Sequence, residues 1–169
     1  TVGGCVAAGL AGPRRAAAGP THGGVRDFVL GARLLDGRGR VLRFGGTVMK
    51  NVAGYDVART LAGSLGVLGV LVDVSLKVLP RPAAEATVRF EASEAEAIAT
   101  LNAWGGRPLP LSASAWHDRA LHVRWSGAAA AVQVALRTQG GEPLAPPEAE
   151  TFWADLREHR APSLARTPD

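Results

Sequence analysis

Among its 169 residues the chain carries one cysteine, one methionine and one tyrosine. A single cysteine excludes an internal disulfide framework and a four-cysteine zinc site. Aromatic residues make up only 5% of the chain, so an aromatic stacking platform for nucleic acid has little to build on. No stretch approaches the roughly 20 consecutive apolar residues that span a bilayer. The longest charge-free run near the middle, residues 60–72, is broken by Gly63, Gly66 and Gly69. Low-complexity and extended polar tracts are missing too, which sets the chain apart from disordered sequences. Thr1 stands in a Thr-Val-Gly-Gly turn without the basic and apolar regions of a signal peptide, and the chain reads as a segment of a longer one.

What is present is unevenly spread. Sixteen of the 21 glycines lie in residues 1–80. That stretch holds ten Arg and Lys against four Asp and Glu, a net of +6, and the remainder has a net of −2. A glycine-rich basic part followed by a glycine-poor, faintly acidic one suggests two domains with different tasks. The basic part would suit a phosphate-bearing partner, although a solvated arginine surface is the plainer reading of charge alone. Pro80-Arg81-Pro82 marks the boundary, because proline lacks a ladder donor and turns its predecessor away from helix.

Before that boundary, residues 69–79 alternate as a strand, with Val70, Val72, Val74, Leu76 and Val78 on one face. Residues 28–35 and 40–44 form a hairpin around Asp36-Gly37. Short helices are expected over 4–10 and 55–62, the second stopped by Gly63. After the boundary, residues 87–91 read as a strand, and Ser93 with Glu96 forms a capping box on a helix that ends at Gly105-Gly106. A hairpin over 111–116 and 120–125 follows. Ser126 is expected to cap a helix over 128–139, a closing strand falls at 142–144, and a last short helix spans 152–159. The order β-α-β-β-α-β is that of a ferredoxin-like split βαβ unit, so the fold class is α+β. Residues 161–169 carry no packing signal.

Three clusters could carry chemistry. In Thr1-Val2-Gly3-Gly4, adjacent glycines at a helix entrance let main-chain N–H groups approach an anion. Neither a Walker lysine nor the G-x-G-x-x-G spacing accompanies them, which argues against a P-loop and a Rossmann site. In residues 63–70, glycines at the mouth of a strand imply close approach by another backbone or by a flat ligand. In Lys50-Asn51-Val52-Ala53-Gly54-Tyr55-Asp56, a surface lysine and a half-buried tyrosine with a satisfied hydroxyl are the favoured reading. Histidines 22, 117, 122 and 159 lack metal-ligand spacing, so no metal site is expected. Cys5 reads as a buried inert thiol, and Trp104, Trp116, Trp125 and Trp153 as core or subunit interface.

Taken in order, these clusters resemble the FAD-linked oxidases of the p-cresol methylhydroxylase and vanillyl-alcohol oxidase type. Within that family they are most similar to the FAD-binding subunits of bacterial glycolate oxidases. The resemblance is carried by Gly3-Gly4, the runs 7–15, 25–31 and 44–57, Ala62-Gly63-Ser64-Leu65-Gly66 and Leu76-Lys77-Val78-Leu79-Pro80. It continues more weakly through 106–112 and 152–158. It implies that residues 1–82 are the C-terminal part of a PCMH-type FAD-binding domain and 83–169 a ferredoxin-like cap. It further implies that FAD is gripped by main chain at Thr1, Gly3, Gly4, Gly63, Gly66, Gly69 and Val70.

The implied activity is oxidation of glycolate, or another small 2-hydroxy acid, to the 2-oxo acid, with no catalytic residue assigned on this chain. The implied partners are a second flavin subunit and an iron–sulfur subunit, without nucleic acid or direct membrane insertion. The implied location is the cytoplasm, with association to the inner face of the plasma membrane through those partners. Two departures stand out. The upstream glycine-rich pyrophosphate loop of the family precedes Thr1, so this piece alone should bind FAD poorly and be inactive. The glutamate of the Gly-Ser-Glu-Gly pattern in catalytic flavin subunits is Leu65 here, and the following threonine is Val67. The alternatives are a non-catalytic assembly or electron-transfer subunit of such a complex, another FAD-linked oxidase of the family, and, on charge alone, an anion-binding or nucleic-acid-binding domain.

Overall fold

The computed structural model describes residues 1–15, 23–47 and 55–161. These form two compact units, one of residues 1–11 and 23–80, the other of 12–15 and 81–161. The division differs from a split at residue 82 in assigning 12–15 to the second unit. Arg14 explains this: its guanidinium donates to Glu85 at 3.2 Å and to the Ser126 hydroxyl at 3.4 Å.

The first unit holds α1 (Val2–Ala8), β1 (Val29–Leu35), β2 (Val41–Gly45), α2 (Val57–Thr60) and β3 (Val70–Leu76). The strands form an antiparallel sheet in the order β2-β1-β3. The hairpin turn is organised by Asp36, whose carboxylate accepts the main-chain N–H groups of Arg38 and Arg40, each at 2.9 Å. These bonds, with the Arg40 guanidinium, hold its carboxyl below the usual carboxylate range, the Arg40 amide contributing most. The core is built on Val6, Val29 and Ala58, with Ala32, Leu34 and Leu61 beside them.

In β3 the structure corrects the simple alternation. Arg33 pairs with Asp73 and Leu34 with Leu71, so Val72 bulges out. A bulge reverses which parity faces the core. Leu71 therefore packs inward together with Val74 and Leu76, while Val70 and Val72 are exposed. The helix expected over 55–62 is a single turn, because after Thr60 the amides of Leu61, Ala62 and Ser64 bond three residues back.

The second unit runs β4 (Ala84–Glu91), α3 (Glu94–Gly105), β5 (Leu111–His117), β6 (Ala120–Gly127), α4 (Ala129–Gln139), β7 (Glu142–Pro143) and α5 (Pro146–Arg157). Its antiparallel sheet has the order β5-β6-β4-β7, the split βαβ arrangement anticipated from the element order. The capping box is present: the Ser93 hydroxyl accepts from the Glu96 amide, and the Glu96 carboxylate accepts from the Ser93 amide at 2.8 Å. Asp118 and Arg119 both take positive φ, the conformation that matches a two-residue turn to the twist of its strands.

Ser126 does not cap α4. It remains in β6, where its hydroxyl bonds the Glu85 carboxylate, and Ala128 occupies the cap position without a side-chain bond. The last helix begins earlier than expected, since Pro146 and Pro147 fill first-turn positions that need no amide donor. Ala161 is buried, held by its amide bond to the Asp155 carbonyl, and 162–169 lie outside the described residues.

Along β6, Leu121, Val123 and Trp125 point into the core against Ala97, Trp104, Val132 and Ala135 of the two covering helices. Trp104 and Trp125 contact each other with ring centroids 5.3 Å apart. Trp116 departs from a core role and is 42% exposed. Replacing Trp125, which is fully buried, by alanine is expected to lower the stability of this unit by about 3–5 kcal/mol, measured by urea denaturation.

Candidate functional site

Two of the sequence-predicted clusters meet in the first unit. Thr1 caps α1, its hydroxyl oxygen accepting from the Gly4 amide at 3.1 Å while its carbonyl accepts from Cys5. Gly4 thus spends its N–H on the cap. Gly3 lies on the side of α1 facing β3, where an added Cβ would stand 3.7 Å from that of Leu71. At the other end of α1, the Val6 carbonyl accepts from Gly63 at 3.0 Å and the Ala7 carbonyl from Leu65 at 2.8 Å. The segment after α2 is thereby tied to the helix that Thr1 begins.

The glycines of that segment differ in what they accommodate. Gly63, Gly66 and Gly69 all have positive φ. At Gly69 the close neighbour is protein backbone: an added Cβ would fall 2.4 Å from the Leu35 carbonyl oxygen. At Gly66 nothing lies within 4 Å of an added Cβ. Around it the chain presents apolar side chains outward, Leu65 at 76% and Val67 at 82% exposure, with Leu68, Val70 and Val72 also exposed. Leu65 adopts φ 52°, unusual for a side chain of its size. Solvent exposure of five large apolar residues within eight positions is the mark of a surface that meets something else.

The third cluster divides. Lys50, Asn51, Val52, Ala53 and Gly54 lie outside the described residues. Tyr55 is 97% exposed, not half-buried, and Asp56 caps α2 while pairing with Arg59 at 3.1 Å. Cys5 is only partly buried, and His22 lies outside the described residues. Among the described residues no group of three or more His, Cys, Asp or Glu side chains comes together. No described helix is long and apolar enough to cross a membrane.

The second unit holds a polar arrangement that sequence reasoning passed over. The residues of β6 between the core positions, His122 and Arg124, turn to the other face of the sheet. There α5 lies over them. Phe152 stacks on His122 with centroids 4.1 Å apart, and the Trp153 indole N–H donates to the Thr87 hydroxyl at 2.9 Å. The Arg124 guanidinium lies 5.1 Å from the centre of the Trp153 ring, donates to the Ser112 hydroxyl at 3.0 Å and pairs with Glu85 at 3.8 Å. Burial lowers its affinity for its proton, and Glu85 offsets this. The alternation Leu121, His122, Val123, Arg124, Trp125 marks a strand with one apolar and one polar face, and nothing in it says that a helix covers the polar one.

No family model matches the chain. It is 50% identical over 162 residues to the glycolate oxidase subunit GlcE of Escherichia coli (strain K12), a match that covers 96% of this chain and 44% of that protein. It is 37% identical over 70 residues to the glycolate oxidase subunit GlcD of Bacillus subtilis (strain 168), covering 41% of this chain and 15% of that protein. Among solved structures, an alkyldihydroxyacetonephosphate synthase superposes on 98% of this chain and 36% of its own with a TM-score of 0.67. At 16% identity that likeness is one of fold. The chain spans less than half the length of these relatives.

The two glycine environments give separable outcomes. Gly69→Ala is expected to destabilise the first unit by more than about 2 kcal/mol, because a backbone oxygen stands where the methyl would go. Gly66→Ala is expected to cost about 1–2 kcal/mol, the strain of its positive φ alone. Thermal denaturation of the two variants side by side checks the difference.

Proposed function

We propose that this chain belongs to the FAD-linked oxidase family, carries part of its PCMH-type FAD-binding domain, and forms part of the FAD-binding subunit of a glycolate oxidase. The observation that carries this reading is the 50% identity to GlcE over nearly the whole chain. The exposed surface around Gly66 supports the reading. Around Gly66 there is open space where a side chain would stand, edged by exposed Leu65, Val67 and Val70. A flat apolar ring system gains by covering such a surface.

In this proposal Thr1, Gly3, Gly4, Gly63, Gly66, Gly69 and Val70 have two kinds of role. Gly66 and Val70 border the cofactor directly. Thr1, Gly4 and Gly63 order α1 and the segment tied to it, Gly3 seats α1 beside Leu71, and Gly69 lets the chain pass Leu35. When bound, FAD supplies a two-electron acceptor for oxidation of the α-carbon of glycolate or a related 2-hydroxy acid. The residues of this chain bind and orient it, and no general base is assigned to them. Leu65 and Val67, apolar where catalytic flavin subunits of the family carry glutamate and threonine, favour exclusion of water from this edge of the cofactor.

The proposed partners are a second flavin subunit of the GlcD kind and an iron–sulfur subunit, with cytoplasmic location at the inner face of the plasma membrane through them. The subunit wording of GlcE and GlcD supports a complex. The alternative, a non-catalytic assembly or electron-transfer subunit, is favoured by Leu65 in place of the glutamate.

The test uses the full-length protein in its complex. In the full-length subunit isolated from that complex, Gly66→Ala is expected to lower bound flavin, read by its visible absorbance, at least tenfold while leaving the fold intact by circular dichroism. Glycolate-dependent dye reduction should fall in proportion. Full flavin occupancy and full turnover in this variant would remove Gly66 from the site. Loss of flavin with turnover unchanged would establish the non-catalytic alternative.

A further inference from the structure

We propose that the imidazole of His122 is a proton-operated latch, which holds α5 on the sheet of the second unit when neutral and releases it when charged. His122 is 8% exposed, and its Nδ1 is buried without a hydrogen-bond partner among the described residues. One ring face is covered by Phe152 of α5, with 23° between the planes. A neutral imidazole stacks there as an aromatic ring does. A charged one would bring a cation beneath the helix, where burial outweighs the help of the Ala120 backbone, at a penalty avoided by lifting the helix away.

The groups facing His122 from each packed element oppose the charge on balance. Arg89 on β4 and His117 on β5 disfavour it, and Glu148 on α5 and the Ala120 backbone favour it. Arg89 is itself held by Glu142 of β7 at 3.5 Å. Burial is the largest effect, and the His122 pKa lies below its ordinary value of about 6.5. A route for the proton exists. A cavity of about 450 Å³ is lined by His122, Leu144, Pro147, Glu148, Thr151 and Phe152.

The consequence for pH has a definite sign. In the released state the imidazole titrates near its ordinary value, and in the docked state below it. The docked state is therefore fully favoured above about pH 6.5 and weakens as pH falls through the depressed docked value, beyond which no further loss comes from this group. One proton is taken up per opening, so the opening constant rises up to about tenfold per pH unit inside that window. Release would bare Thr87, His122 and Arg124, which α5 covers at neutral pH.

Hydrogen exchange of the full-length protein between pH 7.5 and 5.0, corrected for intrinsic rates, tests the latch. Protection in residues 146–157 should fall by up to about tenfold per pH unit while residues 94–105 and 129–139 stay level. His122→Phe, which keeps an aromatic ring on Phe152 and cannot be charged, should make α5 insensitive to pH. Level protection of α5 in the unaltered protein, or an unchanged slope in His122→Phe, would overturn the proposal. If that variant does not fold, the His122 imidazole is titrated by NMR in the unaltered protein. A midpoint coincident with α5 opening supports the latch, and protonation with α5 still docked refutes it.

Discussion

The first unit depends on two main-chain hydrogen bonds, from the amides of Gly63 and Leu65 to the carbonyls of Val6 and Ala7. A helix end leaves its last carbonyls without partners, and a seven-residue helix has few bonds of its own to hold it. Gly9 and Leu10 meet the Val6 and Cys5 carbonyls, and the segment after α2 adds a second donor to Val6 and one to Ala7. In doing so it is drawn into the left-handed conformations that place glycine at 63 and 66 and force Leu65 to follow. Leu65, Val67 and Leu68 are displayed outward along that path, on the surface proposed for the cofactor.

The second unit shows a different economy. One strand, β6, supplies both its core and its polar face. The odd positions Leu121, Val123 and Trp125 are enclosed by α3 and α4, and the even positions His122 and Arg124 receive α5. A sheet with helices on both faces ordinarily buries apolar residues on both. Here the second face pairs charged and hydrogen-bonding groups with the aromatic rings of α5. The same face explains why Ser126 is absent from the α4 cap: Glu85 and Arg14 occupy its hydroxyl.

Much of this was legible in order. Ser93 and Glu96 announced α3 because a capping box is local, closing within one turn. Asp36-Gly37 announced the first hairpin for the same reason. The glycines at 63, 66 and 69 were readable as points of close approach, but not what approaches them. Gly69 meets the Leu35 carbonyl and Gly66 meets open space, a distinction that depends on a strand 31 or more positions away. Likewise the alternation of 70–78 identified β3, while the bulge at Val72 arose from pairing with β1 and reversed the buried parity.

By itself the sequence determined the elements whose signals close over a few residues: the capped helix, the hairpins, the β-α-β-β-α-β order, and the runs that resemble those of FAD-linked oxidases. Local hydrogen bonds and hydrophobic period are set by neighbours along the chain, so no partner is needed to express them. Tertiary structure alone decided which glycines face backbone and which face space, which parity of β3 is buried, and that His122 lies under Phe152 without a partner for its nitrogen. Each of these is a meeting of residues 30 or more positions apart, and only the register of the sheets and the seating of α5 bring them within contact distance.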